Sequence, residues 1–323
     1  MITRRSALVH LAGSAAALLV RRLDAFAKAS QPATPVNFTV PPGACDSHTH
    51  VFGDPAAYRF WPGRVYTPEP ASVAEMRTLH RALHLDRVVV VQPSVYGTDN
   101  ACTIAALRQL GARARGVAVI DDKTTDAQLD AMHRDGFRGI RLNLEAAGQT
   151  DPAGAQRRFQ AAVERMSARR WHIQMFTRLS VIERIRDQVM ASPVPIVFDH
   201  FGGAQAALGV GQPGFGALVD LVRNGKAYVK ISGAYRASTQ PPDFADAKPL
   251  AQALIAANPQ RILWGTDWPH PDSAPPPSQP LSVVSPLLQI DDGRLMNLLP
   301  AWAPDAALRK TILVDNPARL YGF

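Results

Sequence analysis

The chain has 323 residues, 46% hydrophobic and 19% charged. This is an ordinary globular composition, apolar enough to bury a large core and to exclude a disordered chain. The formal net charge is +8, but Arg4, Arg5, Arg21, Arg22 and Lys28 stand against only Asp24 within the first 29 residues, leaving +4 for the remainder. Those remaining charges form no basic run, so a nucleic-acid partner is not expected. Two cysteines, Cys45 and Cys102, exclude both a disulfide framework and zinc-finger spacing.

In chain order, the first element is a leader. Arg4-Arg5 precede a mildly apolar run reaching Val20, and Ala25-Phe26-Ala27 and Ala27-Lys28-Ala29 offer small-x-small cleavage sites. This pattern resembles a twin-arginine export signal over residues 1–29, which predicts a periplasmic protein. The run is too short and too rich in small residues to anchor the chain in a membrane. Residues 30–43 read as a Pro-rich connector. From Ala44 to Phe323 short apolar or β-branched runs alternate with amphipathic stretches. The runs are Ala44–His50, Arg87–Gln92, Arg115–Ile120, Phe137–Leu144, His172–Thr177, Pro195–His200, Ala227–Ser232 and Arg261–Thr266. Helical patterns fall near 71–84, 100–112, 124–135, 153–170, 179–191, 213–224, 246–257 and 304–315. Continuous apolar strands separated by helices predict a parallel sheet covered on its outer side. Eight such units in one uninterrupted domain predict an α/β fold, a single (β/α)8 TIM barrel. The Pro-rich stretch Ser273–Pro280 is expected to loop over the barrel mouth.

Barrel catalytic groups project from the C-terminal strand ends, and the polar residues sit there. The first run carries His48 and His50, the sixth ends in Asp199-His200, and Asp267 directly follows the eighth. Strand period two puts His48 and His50 on one face. Converging imidazoles and a carboxylate either bind a divalent metal or polarise a carbonyl and activate water. His10, His80, His84 and His133 read as ordinary surface or core histidines. His172 opens its strand, at the opposite end of the barrel, and is expected at the surface. Arg141 and Arg236 are candidates for holding a substrate carboxylate bidentately, with a structural ion pair as the other reading.

Several motifs carry a family resemblance. They are Asp46-Ser47-His48-Thr49-His50-Val51-Phe52-Gly53, Gly97-Thr98-Asp99-Asn100, Gly139-Ile140-Arg141, Asp199-His200-Phe201-Gly202, Trp264-Gly265-Thr266-Asp267-Trp268-Pro269-His270-Pro271 and Asn316-Pro317-Ala318-Arg319-Leu320-Tyr321. From about Pro41 onward the chain resembles the amidohydrolase-2 family, and within it the 2-pyrone-4,6-dicarboxylate lactonases and their sugar-lactone relatives. The resemblance implies that His48, His50 and His200 polarise a carbonyl and that Asp267 takes a proton from the attacking water. It places Tyr66, Ser94, Arg141, Arg236 and His270 at substrate-binding positions. Two departures concern cations: Gly203 stands where those lactonases carry an arginine after strand six, and Glu145-Ala146-Ala147 lacks a further arginine after strand four. A third puts Met175 in place of a strand-five tyrosine. Fewer cations point to a substrate with fewer carboxylates.

The expected activity is therefore hydrolysis of a carboxylate-bearing lactone, with the pKa of Asp267 raised towards neutrality by the barrel mouth. The expected partner is this small molecule. No metal is expected, because strand five lacks a suitably placed histidine. If one were present, His48, His50 and Asp267 would hold it. The alternatives are a zinc-dependent amidohydrolase or decarboxylase, a sugar-acid lactone isomerase, and a binding protein that lost catalysis. The sequence leaves the oligomeric state open.

Overall fold

A computed structural model describes residues 29–144, 152–276 and 278–323. The leader, His10 and Glu145-Ala146-Ala147 lie outside the described residues. Eight parallel strands pair in sequence order: β1 Cys45–Thr49, β2 Arg87–Val91, β3 Ala114–Ala118, β4 Phe137–Asn143, β5 His172–Phe176, β6 Ile196–Phe198, β7 Ala227–Lys230 and β8 Ile262–Leu263. The ring closes between β8 and β1 through backbone bonds. Ser47 N donates to Trp264 O at 2.9 Å, Asp267 N to His48 O at 2.9 Å and His50 N to Trp268 O at 2.8 Å. The expected TIM barrel is the observed fold.

Helices α1 Val73–Ala82, α2 Ala101–Leu110, α3 Asp126–Arg134, α4 Pro152–Met166, α5 Leu179–Ala191, α6 Phe215–Arg223 and, after a short α7 Ala234–Ala237, α8 Lys248–Ala257 fall where the periodicity put them. The first begins with a capping box: Ser72 accepts from Glu75 N while Glu75 accepts from Ser72 N, satisfying two otherwise orphaned donors. Where one helix was expected over 304–315, a helical turn Ala306–Lys310 is followed by a wider-wound turn Thr311–Asp315 and then by Asn316–Tyr321. This last helix seals the bottom of the barrel. Asn316 Nδ2 donates to Ile262 O at 2.7 Å and to Pro259 O at 2.8 Å, and Tyr321 is buried.

The apolar residues divide by strand parity. One set packs the helices onto the sheet. The other, with Val89, Val91, Val117, Val197 and Leu263, fills the barrel interior. The same parity carries polar residues inward, namely Arg141 on β4, Gln174 on β5 and Lys230 on β7, all buried. His172 belongs to this set. It was expected at the surface, but it is 1% exposed and packs edge-on against Tyr321. The reason is geometric: its β4 neighbour in register is Gly139, where a Cβ would fall 2.3 Å from the imidazole. The glycine makes the room that seats the ring inside.

All eight strands are shorter than their expected runs, β6 and β8 most of all, and beyond these two the chain turns sharply at the mouth. His200, Phe201, Asp267 and His270 all have positive φ, a costly conformation for residues with a Cβ and one that gathers at functional sites. The Pro-rich connector is not a loose tether: Thr34 Oγ1 donates to Asp291 Oδ2 at 2.6 Å, and Ser30 O accepts from Trp268 Nε1 at 3.1 Å.

Closure depends on Asp46. Its Oδ1 accepts from His48 N (3.2 Å) and Thr266 N (3.0 Å), and its Oδ2 from Thr266 Oγ1 at 2.7 Å, with His80 Nε2 3.2 Å away. Gly265 permits this approach, since a Cβ there would lie 2.7 Å from His48 N. Asp46→Ala orphans several buried donors and should lower stability by about 2–4 kcal/mol, read as the shift in urea midpoint. An unchanged midpoint would show that the staple is idle.

Candidate active site

Four groups meet at the mouth. Asp267 Oδ1 lies 3.6 Å from His48 Nε2, 3.8 Å from His50 Nε2 and 3.6 Å from His200 Nε2. The three histidines expected from sequence thus converge on one oxygen of the expected carboxylate. That oxygen is buried and makes no hydrogen bond. The other, Oδ2, is saturated: Tyr235 Oη donates to it at 2.6 Å and Arg236 Nε pairs with it. One carboxylate is thereby split into a held oxygen and an available one.

His50, Tyr66, Ser94, Arg141, His200, Arg236 and Asp267 line a common cavity. His48 is fully buried beneath it. His270 lies elsewhere: it is fully buried, with Nε2 2.9 Å from Asp292 Oδ2 and its ring edge-on to Tyr235. Its reach towards the cavity runs through that tyrosine. Arg141 has a double role. It faces the cavity, stands over the Phe176 ring, and holds Asp199 Oδ2 through Nε (3.3 Å) and a terminal nitrogen (3.2 Å). The cavity opens sideways into a cleft of about 780 Å³ that shares Phe176, His200, Arg236 and Ser273. Pro271 to Ala274 border this cleft, so the start of the Pro-rich stretch lies at the mouth as expected. Gly203 also borders it, at φ +78°, and a Cβ there would sit 2.5 Å from Thr177 O. No side chain fits at 203 on this backbone.

Burial disfavours charged imidazole. It pulls His48 well below its usual range, His50 to about 3 and His200 to about 4, with Lys230 adding to the effect on His48 and Arg141 to that on His50. All three are neutral at pH 7. Burial also works against charge on Asp267, yet Arg236 above all, followed by the three imidazoles, outweighs it and holds the carboxyl well below the usual carboxylate range. This corrects the expected rise towards neutrality. The expectation considered burial alone, whereas the dominant partner is a guanidinium 31 residues away in the chain.

Tautomers follow from the partners. His50 Nδ1 is 2.8 Å from Val91 O, an acceptor only, so His50 carries its proton on Nδ1 and turns a bare Nε2 to the cavity, which leaves it no N–H for a carbonyl and corrects its expected polarising role. His200 Nδ1 is 3.0 Å from Ser232 Oγ, which donates or accepts.

By position, the residues fit a divalent ion. His48, His200 and Asp267 each offer a ligand atom within 4.8 Å of one another, and the expected trio with His50 also closes, His48 Nε2 being 3.3 Å from His50 Nε2. The unpartnered Asp267 Oδ1 is the common vertex.

Sequence reasoning missed a buried polar layer below these groups. Asp199, Gln174 and Lys230 are all fully buried. Asp199 is held well below its usual range, burial being outweighed by His48, Lys230 and Arg141. Burial brings Lys230 down to about 8 against the opposing pull of Asp199. A lysine amid the apolar run Ala227-Tyr228-Val229-Lys230-Ile231 was the available signal.

The chain is similar to known proteins over most of its length. The chain is 34% identical over 291 residues to 4-sulfomuconolactone hydrolase of Hydrogenophaga intermedia, covering 89% of this chain and 91% of that one. It is 33% identical over 309 residues to 2-pyrone-4,6-dicarboxylate hydrolase of Comamonas testosteroni, covering 93% and 95%. A crystal structure described as a putative 2-pyrone-4,6-dicarboxylic acid hydrolase from Pseudomonas putida superposes with a TM-score of 0.72 at 33% identity, covering 88% and 98%. An amidohydrolase from Burkholderia multivorans with bound zinc shares the fold, with a TM-score of 0.61 at 21% identity, covering 87% and 99%. The amidohydrolase family model matches residues 45–323, and the chain belongs to that amidohydrolase family.

Proposed function

We propose that this chain hydrolyses a lactone bearing a carboxylate. The observation that carries the reading is Asp267 Oδ1, an ionised oxygen without a hydrogen bond, ringed by three neutral imidazoles beside Arg141 and Arg236. The relatives named as hydrolases of sulfomuconolactone and pyrone dicarboxylate support it.

In this reading water approaches Asp267 Oδ1, which takes its proton as the oxygen bonds to the lactone carbonyl carbon. The tetrahedral oxyanion is met by His48, His200 and Arg236, each well-placed donor contributing about 3–4 kcal/mol. Collapse breaks the ring C–O bond, and the proton on Asp267 passes to the departing oxygen. The products are a hydroxyl, or its keto form, and a new carboxylate, with one proton released to solvent. Arg141 holds the substrate carboxylate. Held by Asp267 with His48 and either His50 or His200, a divalent ion would polarise the carbonyl as a Lewis acid. A lactone carbonyl is already activated, so the residues alone suffice in this proposal. Dialysis against a strong chelator should leave turnover unchanged; a loss reversed by zinc would assign the polarising role to an ion.

A panel of carboxylated and neutral lactones, followed by proton release in a pH-stat, tests the function. Release should be fast with carboxylated rings and slower with neutral ones, and a panel with no release at all contradicts the proposal.

We further propose export through the twin-arginine route, supported by Arg4-Arg5 ahead of the apolar run. Among the described residues no helix is long and apolar enough to cross a membrane. Arg4→Lys with Arg5→Lys should hold the full-length chain in the cytoplasm, and mature protein in periplasmic fractions of that variant would refute the route.

A further inference from the structure

Lys230 lies fully buried under the site, and the chemistry above makes no use of it. Its Nζ is 2.7 Å from Gln174 Oε1, 3.2 Å from His48 Nδ1 and 3.4 Å from Asp199 Oδ1. An ammonium has three N–H groups and no acceptor. Three neighbours surround it, and the first and last accept only, because Gln174 turns its amide nitrogen to Asp199 Oδ2 at 3.0 Å. His48 Nδ1 must then accept as well.

The competing partner of His48 Nδ1 is Asp199 Oδ1, 3.2 Å away. A carboxylate behind a histidine ordinarily takes the Nδ1 proton and leaves Nε2 bare, the arrangement that suits a metal ligand. Here that contact is 3.2 Å and out of line for a hydrogen bond, and Lys230 Nζ stands at the same 3.2 Å from His48 Nδ1. The cavity side agrees. His48 Nε2 is 3.3 Å from His50 Nε2, and His50 has committed its proton to Val91 O. Two bare nitrogens at that distance would repel. The contact is favourable when His48 carries its proton on Nε2.

We propose that Lys230 is a positioning residue that fixes His48 in the Nε2–H tautomer, making it a hydrogen-bond donor to the reacting carbonyl and opposing its use as a metal ligand. Gln174 holds the lysine in place, and Asp199, itself held by Arg141, balances its charge. The proposal deepens the lactone reading, since it takes His48 to face the carbonyl, but it makes a statement about one proton that can be checked without any substrate.

The test is long-range ¹H–¹⁵N correlation on protein carrying ¹⁵N-histidine, with His48→Gln used to assign the His48 signals. Wild type should show the His48 proton on Nε2. Lys230→Met should move it to Nδ1, where Asp199 Oδ1 can receive it, and Lys230→Arg, which keeps a donor-only group, should retain the wild-type pattern. Zinc titrated calorimetrically should bind Lys230→Met about tenfold or more tighter than wild type, the usual scale for changing the partner behind a ligating histidine. Lys230→Met should also lower kcat with little change in KM. A His48 proton on Nδ1 in wild type overturns the proposal, as does zinc affinity unchanged in Lys230→Met. Should that variant fail to fold, the wild-type spectrum alone decides. Failure of every lactone in the turnover panel would leave the tautomer result standing, so the two readings fail separately.

Discussion

Asp267→Asn should lower kcat by about 10²- to 10⁴-fold, the usual contribution of a positioned general base, in protein that still unfolds cooperatively in urea. The amide still accepts from Tyr235 or Arg236 through its oxygen, so the loop geometry survives, but no carboxylate remains to take the proton from water. The pH profile sharpens the test. The pKa of Asp267 is depressed by Arg236, and a depressed carboxyl stays ionised as pH falls, so the acid limb of wild-type kcat/KM should lie well below neutrality. A raised pKa would instead put that limb near neutral pH. Near-wild-type kcat in Asp267→Asn, or an acid limb near pH 7 that belongs to Asp267, would remove this residue from the role of base.

Arg141→Met should discriminate between substrates. The methionine keeps an apolar stem over Phe176 but removes the guanidinium. For a carboxylated lactone the loss of a charged, bidentate contact should cost about 2–4 kcal/mol in kcat/KM, mainly through binding. For a neutral lactone of the same ring size the specific cost should stay under about 1 kcal/mol. Arg141 also holds Asp199, a buried carboxylate, so its removal disturbs the layer under His48. That disturbance acts on both substrates, and the ratio of the two losses cancels it. Equal losses would show that the Asp199 pair is the whole role of Arg141 and would pass the substrate carboxylate to Arg236.

The parts of this protein legible in its sequence are those written in local patterns. All eight strands were visible because parallel strands buried on both faces are continuously apolar, and their order follows from the βα alternation. His48, His50, His200 and Asp267 were visible because barrel chemistry gathers at strand ends. What escaped depends on register around the closed ring. Whether His172 faces solvent or interior turns on Gly139 lying beside it on β4, a relation between residues 33 apart. Lys230 was overlooked because its inward parity has meaning only once Gln174, Asp199 and His48 are brought around it. The pKa of Asp267 was misjudged for the same reason: burial is foreseeable from position at the mouth, but the Arg236 partner is a product of the fold. The retreat of β6 and β8 from their expected ends reflects the left-handed turns at His200 and Asp267, and no residue pattern announces positive φ at a histidine or an aspartate.

The central claim is that water, activated at Asp267 Oδ1, adds to the acyl carbon of a lactone. Turnover of a carboxylated lactone in H₂¹⁸O, with the ring-opened product analysed by mass spectrometry, tests this most directly. For a saturated carboxylated lactone, whose product hydroxyl does not exchange with water, the account predicts one ¹⁸O per turnover, located in the new carboxylate and absent from the hydroxyl. A product of unchanged mass, or one labelled at the former ring oxygen's carbon, would contradict it.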